Sequence, residues 1–238
     1  MASPVPAALP EAPPWMQRLA DRVRTVRAED LSRFLPPDEG GRQSAVLMLF
    51  AEGPTGPDVL LIQRASTLRS HAGQPAFPGG AIDPTDDGPV GAALREAVEE
   101  VGLDPRTVEV MATMPALFIP VTGFVVTPVL AWWGSPGPVA PVDTAEVAAV
   151  ERVPVALLAE PSCRLQVRHP SGWVGPAFNA HGLLIWGFTA GLLTSLLSLG
   201  GWERPWDPGP VRELPLSGGT FPKAAQDSPP TAGEEHEP

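Results

Sequence analysis

Three glutamates crowd one side of a predicted helix near the middle of the chain. Glu99 and Glu100 follow Glu96 by three and four residues, the spacings that make side chains neighbours on a helix. Like charges at these spacings repel each other and destabilise an isolated helix by about 0.2–0.5 kcal/mol per pair. A bound divalent cation would offset this repulsion, and carboxylate oxygens favour Mg²⁺ or Mn²⁺. The alternative interpretation is a solvated acidic helix face.

The helix has start and stop signals at both ends. Asp86 or Asp87 can cap its first turn, and Gly102 provides a stop. Its apolar positions are expected to pack against a sheet, and they are Ala93, Leu94, Ala97, Val98 and Val101. Upstream, Gly79 and Gly80 predict a tight turn whose backbone carbonyl faces the same metal as the glutamates.

Other segments predict strands and two further helices. The expected elements are an amphipathic helix over 15–33, a hairpin of 44–50 with 58–64, strands over 108–117 and 124–133, a strand and short helix over 146–160, and a helix over 182–199. Strands around one strong central helix favour an α+β or α/β sandwich over a serial βαβ fold.

Composition limits the domain organisation and the binding partners that we expect. The chain of 238 residues fits one domain, and its 32 prolines cluster towards both ends. We therefore expect a flexible segment at 1–14, a single domain at 15–203 and a loosely attached acidic tail at 204–238. The net charge of −11 argues against a nucleic acid or an anionic membrane as partner.

A cytoplasmic location is expected, because the one cysteine, Cys163, cannot form an intrachain disulfide. The first fourteen residues also lack the basic start and apolar stretch of a signal peptide. A membrane-anchored protein is the alternative, since the 21 uncharged residues between His181 and Glu203 are long enough to span a bilayer. Their four Ser and Thr residues favour a buried helix instead, as do the lack of Lys or Arg close before them and the balance of Arg204 by Glu203.

Residues 80–103 resemble the Nudix box, a loop–helix–loop that binds metal ions for diphosphate hydrolysis. The matching residues are Gly80, Asp86, Arg95, Glu96, Glu99, Glu100, Gly102 and Leu103. The usual pattern has Glu in place of Asp86 and one residue fewer before Arg95; Asp87 would restore the second spacing and break the first.

This resemblance implies the Nudix fold, a mixed β-sheet between helices with a loop–helix–loop metal site. It also implies an Mg²⁺ or Mn²⁺ site, for which the expected ligands are Glu96, Glu99, Glu100 and the Gly79 carbonyl. Arg95 would hold the glutamates in place by charge-assisted hydrogen bonds.

Residues 60–83, LLIQRASTLRSHAGQPAFPGGAID, resemble a segment of the coenzyme A diphosphatase branch of the Nudix enzymes. Matching residues are Leu68, Arg69, His71, Gly73, Gln74, Phe77, Pro78 and Asp83, whereas Ala65 stands where the branch often has Ser. The branch tolerates the longer spacing before Arg95, and 121–129 and 185–193 resemble two further branch segments.

The implied substrate is a small molecule, coenzyme A or a derivative, cleaved to 3′,5′-ADP and 4′-phosphopantetheine. Arg64, Arg69 and His71 form the basic cluster expected to bind its phosphates. The base is either a box glutamate such as Glu99 or a loop carboxylate, for which Glu146 is the candidate. The alternatives are another nucleoside-diphosphate-linked substrate, such as ADP-ribose or NADH, and a non-catalytic nucleotide-binding module.

Overall fold

The computed structural model describes residues 9–68 and 71–214. In chain order its elements are α1 (Pro14–Val23), α2 (Ala28–Leu31), β1 (Arg42–Gly53), β2 (Gly56–Arg64), β3 (Pro75–Ala76), β4 (Gly79–Ala81), α3 (Gly88–Val101), β5 (Val108–Thr113), β6 (Leu117–Ile119), β7 (Phe124–Trp133), β8 (Val147–Pro154), α4 (Val155–Ala159), β9 (Arg164–Arg168), β10 (Val174–Ala180), β11 (Leu183–Trp186), α5 (Gly187–Gly200) and β12 (Arg212–Glu213). Short 3₁₀ turns lie at Pro105–Thr107 and Pro161–Cys163.

A mixed sheet of eight strands forms the centre of the fold. Its main order is β3-β2-β1-β7-β5, while β4 pairs with β1, β6 with β7 and β8 with β2. β1 and β7 run parallel over nine residue pairs, from Arg42↔Phe124 to Phe50↔Trp132, and the other pairs are antiparallel. The predicted hairpin is confirmed, because β1 and β2 pair up to Gly53↔Gly56.

Residues of β1 alternate between two apolar cores, one on each face of this sheet. Leu47 and Leu49 face the core that includes α3, whereas Met48 and Phe50 face the core that includes α1, α4 and α5. Each fully buried side chain of this size stabilises the fold by about 1.5–3 kcal/mol relative to leaving it exposed. The predicted arrangement of a mixed sheet between helices is therefore confirmed.

A second sheet, in the order β11-β10-β9-β12, was not predicted from the sequence. Its strands β9, β10 and β11 are short, and Pro176 and Gly175 interrupt the apolar pattern of β10. One face, with Phe178 and Ile185, packs on the core that includes α5. The same region also shortens a predicted helix, since β11 occupies the start of 182–199 and α5 begins only at Gly187.

The predicted amphipathic helix over 15–33 is too long, because α1 ends at Val23. The β-branched residues Thr25 and Val26 follow, and these lose rotamer freedom in a helix. Arg22 and Arg24 at this end donate hydrogen bonds to the backbone carbonyls of Leu199 and Met111. These contacts fix α1 against α5 and β5, and the chain restarts as the separate short helix α2.

Each of the two segments predicted to be loosely attached has one buried residue where the structure describes it. Ala12 is buried, and its carbonyl accepts a hydrogen bond from the Gln17 side chain. β12 pairs in parallel with β9, and Leu214 is buried. Loose attachment of the other residues in these two segments stays a prediction, and residues 1–8 and 215–238 lie outside the described residues.

Within residues 9–68 and 71–214, the helices are all too short or too polar to cross a membrane.

Candidate active site

The acidic helix α3 has the start and stop that the sequence predicts. It begins at Gly88 with Asp87 in the N-cap position and ends at Gly102, which adopts the left-handed conformation with φ 69°. Ala93 and Ala97 pack against the sheet, but Val98 is 38% exposed. The prediction that Val98 packs inward is wrong, because one residue turns the helix by about 100° away from Ala97.

The Arg95 guanidinium connects the helix to the loop before it. Nη1 donates to Glu96 Oε1 and to Glu99 Oε2, both at 3.0 Å. Nη2 donates to the Ala81 carbonyl at 3.0 Å. Nε donates to Asp86 Oδ1 at 2.9 Å, and Nη2 also donates to Asp86 Oδ2 at 3.0 Å. Because a guanidinium is a rigid planar fork, this set of bonds fixes the directions of both glutamates.

Of the two aspartates considered as the loop acid, Asp86 is the one that contacts Arg95. The Arg95 hydrogen bonds hold the pKa of Asp86 below its usual range, and the Asp83 backbone N–H adds to this effect. Asp87 occupies the N-cap position without a side-chain capping bond. The extra residue before Arg95 therefore lies in the loop, where it leaves the Asp86–Arg95 pair intact.

Glu100 is the buried member of the three glutamates, with 7% of its surface exposed. Its Oε2 accepts a hydrogen bond of 3.0 Å from the Gly79 backbone N–H. The pKa of Glu100 is raised to about 7, chiefly by burial; the Gly79 hydrogen bond and the positive charge of Arg64 oppose this rise, and the like charges of Glu96 and Glu146 add to it.

Strand pairing directs the Gly79 backbone towards this carboxylate. β4 pairs with β1 through hydrogen bonds from Leu47 to Pro78 and from Ile82 to Gln43. Because hydrogen-bonded pairs alternate along an antiparallel ladder, Gly79 opposite Val46 does not bond to β1. Its N–H and C=O both point away from β1, on the side where its N–H meets Glu100.

Glu96 lies directly against Gly80. A Cβ atom at Gly80 would overlap the Glu96 carboxylate, so the absence of a side chain makes room for it. Burial raises the pKa of Glu96, the Arg95 hydrogen bond lowers it, and Glu99 raises it by like charge. Glu99 itself is exposed, and among the residues that the structure describes its carboxylate is hydrogen-bonded to Arg95 alone.

Two of the predicted substrate and base residues lie close to Glu100. The positive charge of Arg64 and the negative charge of Glu146 both act on the Glu100 carboxylate. The Ala65 backbone N–H donates to the Glu146 carbonyl at 2.8 Å, which joins the end of β2 to the start of β8. Arg64 Nε is buried, and it has no hydrogen-bond partner among residues 9–68 and 71–214.

The remaining predicted residues belong to the loop between β2 and β3. His71 adopts a left-handed backbone with φ 56°, and its Nδ1 lies 2.9 Å from Gln74 Oε1. It is exposed and is directed to Gln74 rather than to the glutamates. Arg69 lies outside the described residues.

The donor set fits a hard divalent cation. Burial raises the pKa values of Glu96 and Glu100, like charges on neighbouring carboxylates add to both rises, and a bound cation would relieve both effects. In the part of the chain that the structure describes, no three acidic, His or Cys side chains already surround a single point. Each glutamate has one oxygen turned to Arg95 or to the Gly79 amide instead.

Metal affinity is expected to fall as the pH drops below about 7, because a protonated Glu100 cannot bind a cation. Release of one proton per bound ion predicts affinity about tenfold weaker per pH unit in this range. Calorimetric titration of Mn²⁺ at several pH values would measure this slope. A Glu100→Gln variant should lose the slope, and an equally steep slope in that variant would exclude Glu100 as its source.

Sequence reasoning missed that Glu100 is the buried glutamate. A signal was present, because Ala93, Ala97, Glu100 and Val101 follow the i, i+4, i+7, i+8 spacing of an inward-facing helix stripe. Glu96 and Glu99 lie beside that stripe. A glutamate within an apolar stripe indicates a buried, partnered carboxylate.

Residues 41–170 match the family model described as the NUDIX domain. A Cronobacter sakazakii protein named "Uncharacterized Nudix hydrolase NudL" is 42% identical over 175 residues, covering 69% of this chain and 85% of that protein. A Salmonella paratyphi B protein of the same name is 42% identical over 170 residues, covering 65% of this chain and 81% of that protein.

Among solved structures, the crystal structure of a Nudix hydrolase from M. smegmatis, RenU, is similar in fold. The TM-score is 0.50 at 24% sequence identity, and the match covers 71% of this chain and 91% of that chain. At this identity the likeness supports the fold alone.

Proposed function

Since this chain belongs to the Nudix hydrolase family and is a Nudix pyrophosphohydrolase, we propose that its substrate is coenzyme A or a derivative of it. The proposed products are 3′,5′-ADP and 4′-phosphopantetheine. The observation that carries the proposal is that Arg64, from the segment resembling the coenzyme A branch, lies near buried Glu100 and has a buried Nε with no hydrogen-bond partner among the described residues. Both the sequence resemblance and the position in the site therefore support Arg64 as a substrate-binding residue.

The glutamates of α3 form the proposed metal site. Glu96, Glu99 and Glu100 would hold Mg²⁺ or Mn²⁺ together with the Gly79 carbonyl, which points away from β1 as the Gly79 N–H does. The ion would supply charge neutralisation at the diphosphate and a lower pKa for a bound water. Arg95 acts on this site as a positioning residue, since it binds the glutamates and the backbone rather than substrate.

Arg64 is the proposed diphosphate-binding residue. In the described part of the chain its buried Nε has no hydrogen-bond partner, and a buried unpaired donor costs about 1–3 kcal/mol, or more when it is charged. A phosphate oxygen is a suitable acceptor, because guanidinium–phosphate hydrogen bonds are charge-assisted. His71 and Arg69 belong to the same proposed substrate-binding segment by sequence resemblance.

The proposed general base is Glu99 or Glu146. Glu99 is exposed and turns one oxygen to Arg95, so its other oxygen can face solvent. Glu146 is exposed and lies near Glu100. Either carboxylate would take a proton from the attacking water while the water oxygen bonds to phosphorus and the bridging oxygen leaves.

Cleavage of coenzyme A in the presence of Mg²⁺ or Mn²⁺ is the expected result for the purified protein. Coenzyme A, ADP-ribose and NADH should be incubated separately and their products resolved by chromatography. We expect 3′,5′-ADP from coenzyme A, loss of the reaction with EDTA, and its return with added Mg²⁺.

The other outcomes separate the alternatives. Cleavage of ADP-ribose or NADH without cleavage of coenzyme A would keep the diphosphatase and reject the coenzyme A proposal. Absence of any turnover, together with metal-dependent binding of the nucleotides, would favour a non-catalytic binding module.

A further inference from the structure

The loop that carries Glu146 is bonded to the end of the acidic helix α3. An α-helix leaves its last four backbone carbonyls without partners inside the helix. The carbonyl of Glu100 accepts a hydrogen bond from the Val142 backbone N–H at 3.1 Å. The carbonyl of Val101 accepts one from the Ala140 backbone N–H at 3.2 Å. The loop is therefore fixed to the same residue whose carboxylate is buried in the candidate site.

A second hydrogen bond fixes the other end of this loop. The Ala65 N–H donates to the Glu146 carbonyl at 2.8 Å, and Ala65 directly follows Arg64. Glu146 thus stands four residues after one fixed point and at the other. From this position its negative charge acts on the Glu100 carboxylate. The two attachments therefore hold Glu146 beside the glutamates of α3.

Between these attachments, Asp143 forms a tight turn. Its carbonyl accepts hydrogen bonds from the N–H groups of Glu146 at 3.1 Å and Val147 at 2.9 Å. Its Oδ1 accepts from the Ala145 N–H at 2.8 Å, the bond to the second following residue that aspartate and asparagine form in turns. In the part of the chain that the structure describes, this is the one hydrogen bond of the Asp143 carboxylate. The turn sets the direction in which the Glu146 side chain leaves the backbone.

The carboxylates of Glu146 and Glu99 differ in how far they are free to take a proton. Glu99 turns one oxygen to Arg95 at 3.0 Å, and its other oxygen is assigned to the metal ion. Glu146 is exposed, and its carboxylate accepts no hydrogen bond from residues 9–68 and 71–214. A general base must come within hydrogen-bond reach of the proton that it takes. Glu146 therefore suits this role better than Glu99.

We propose that Asp143 is a positioning residue that directs the carboxylate of Glu146, as general base, to the attacking water. The inference rests on the proposed function and deepens it, because it selects Glu146 over Glu99 and names the residue that orients it. The water gives its proton to Glu146 while its oxygen bonds to phosphorus, and the bridging oxygen leaves with the electron pair of the broken P–O bond. Asp143 acts only through the turn.

The test measures kcat and KM for coenzyme A at saturating Mn²⁺. Asp143→Ala removes the acceptor of the Ala145 N–H and should lower kcat by about 10–100-fold, because a displacement of about 1 Å costs up to about 100-fold. KM should stay within about twofold, since the base acts on water rather than on substrate binding. Asp143→Asn keeps a side-chain oxygen for the turn and should retain kcat within about threefold.

A double variant tests whether Asp143 acts through Glu146. Glu146→Gln should lower kcat by about 10²–10⁴, the contribution typical of a general base. Adding Asp143→Ala to it should cause no further loss, because the group that the turn orients is already absent.

Asp207→Ala is the matched control. Asp207 is exposed, and its Oδ1 accepts from the Gly209 N–H at 2.9 Å, which is the same kind of turn bond. Its loss should leave kcat unchanged. Calorimetric Mn²⁺ affinity should be unchanged in Asp143→Ala as well, and a weaker affinity there would overturn the inference by making Asp143 a metal ligand.

Three kinetic results would also overturn the inference. They are near-normal kcat in Asp143→Ala or in Glu146→Gln, equal losses in Asp143→Asn and Asp143→Ala, and a further loss in the double variant. Each of them leaves the proposed substrate standing, because wild type still cleaves coenzyme A. Absence of that cleavage in wild type would overturn the proposed function instead, and the same variants assayed on ADP-ribose or NADH would then decide the inference.

Discussion

Glu100→Gln is expected to lower kcat by roughly 10²–10⁴, which corresponds to about 3–5 kcal/mol of activation free energy. Glutamine has nearly the size of glutamate and its carbonyl can still accept the Gly79 hydrogen bond, so the fold should persist. The amide carries no negative charge, and it therefore binds Mg²⁺ or Mn²⁺ far less well than the carboxylate does. Steady-state kinetics on the substrate identified by chromatography would measure the loss.

When metal is absent, the same substitution is expected to raise the stability of the protein at about pH 8, although it lowers kcat. The pKa of Glu100 rises from the model-peptide value of 4.5 to about 7, so the folded state binds its proton more tightly than the unfolded state. The free energy of unfolding of metal-free wild type therefore falls as the pH rises from about 4.5 to 7. Glutamine removes this dependence, and at about pH 8 the metal-free variant should be more stable by about 1–3 kcal/mol.

Glu109→Gln provides the control for both measurements. Glu109 is an exposed residue of β5 with no ion pair in the described part of the chain, and its substitution should change neither kcat nor stability appreciably. Near-normal turnover in a folded Glu100→Gln variant would remove Glu100 from the metal site. Lower stability of the metal-free variant at about pH 8 would contradict the buried, ionised state inferred for this carboxylate.

Gly79→Ala is expected to lower stability, whereas Gly80→Ala is expected to weaken metal binding. A Cβ atom at Gly79 would collide with the Ala45 backbone carbonyl and lie 2.7 Å from Val46 Cα. Neither atom can move without shifting β1, so Gly79→Ala should lower the free energy of unfolding by about 1–3 kcal/mol, the usual cost of overpacking. Denaturant unfolding of the metal-free protein would measure this loss.

A Cβ atom at Gly80 meets the Glu96 carboxylate instead of backbone. That group is the end of a flexible side chain and can turn away, so stability should change little. The displaced carboxylate should weaken Mn²⁺ binding by about 10–100-fold, the usual effect of disturbing a ligand or its support. Equal loss of stability in the two variants, or unchanged Mn²⁺ affinity in Gly80→Ala, would contradict this assignment of the two glycines.

Much of the fold could be predicted where the pattern is local and regular. The two ends of α3, the β1–β2 hairpin and the β8–α4 sequence are present where apolar spacing and glycine predict them. The prediction was wrong for the end of α1 and incomplete for the second sheet. In both regions the deciding partners are distant in sequence, such as Leu199 for Arg22 and β9 for β12.

For the candidate site, too, local spacing predicts one part and only the three-dimensional structure decides the other. Glu96, Glu99 and Glu100 share one side of a helix because of their spacing alone, and residue types alone indicate a hard cation. Spacing cannot tell Asp86 from Asp87 as the acid that pairs with Arg95. Loop conformation decides it, since Asp86 lies beside the guanidinium while Asp87 begins the helix.

The sequence by itself therefore determined the acidic helix, its ends and the residue types that gather around it. Only the tertiary structure decided that Glu100 is buried against Gly79, that Arg64 lies close to it, and that the loop of Glu146 is bonded to the end of α3. The physical reason is separation along the chain. Helical neighbours are fixed by a rotation of about 100° per residue, whereas contacts such as Gly79 with Glu100 depend on strand pairing and register.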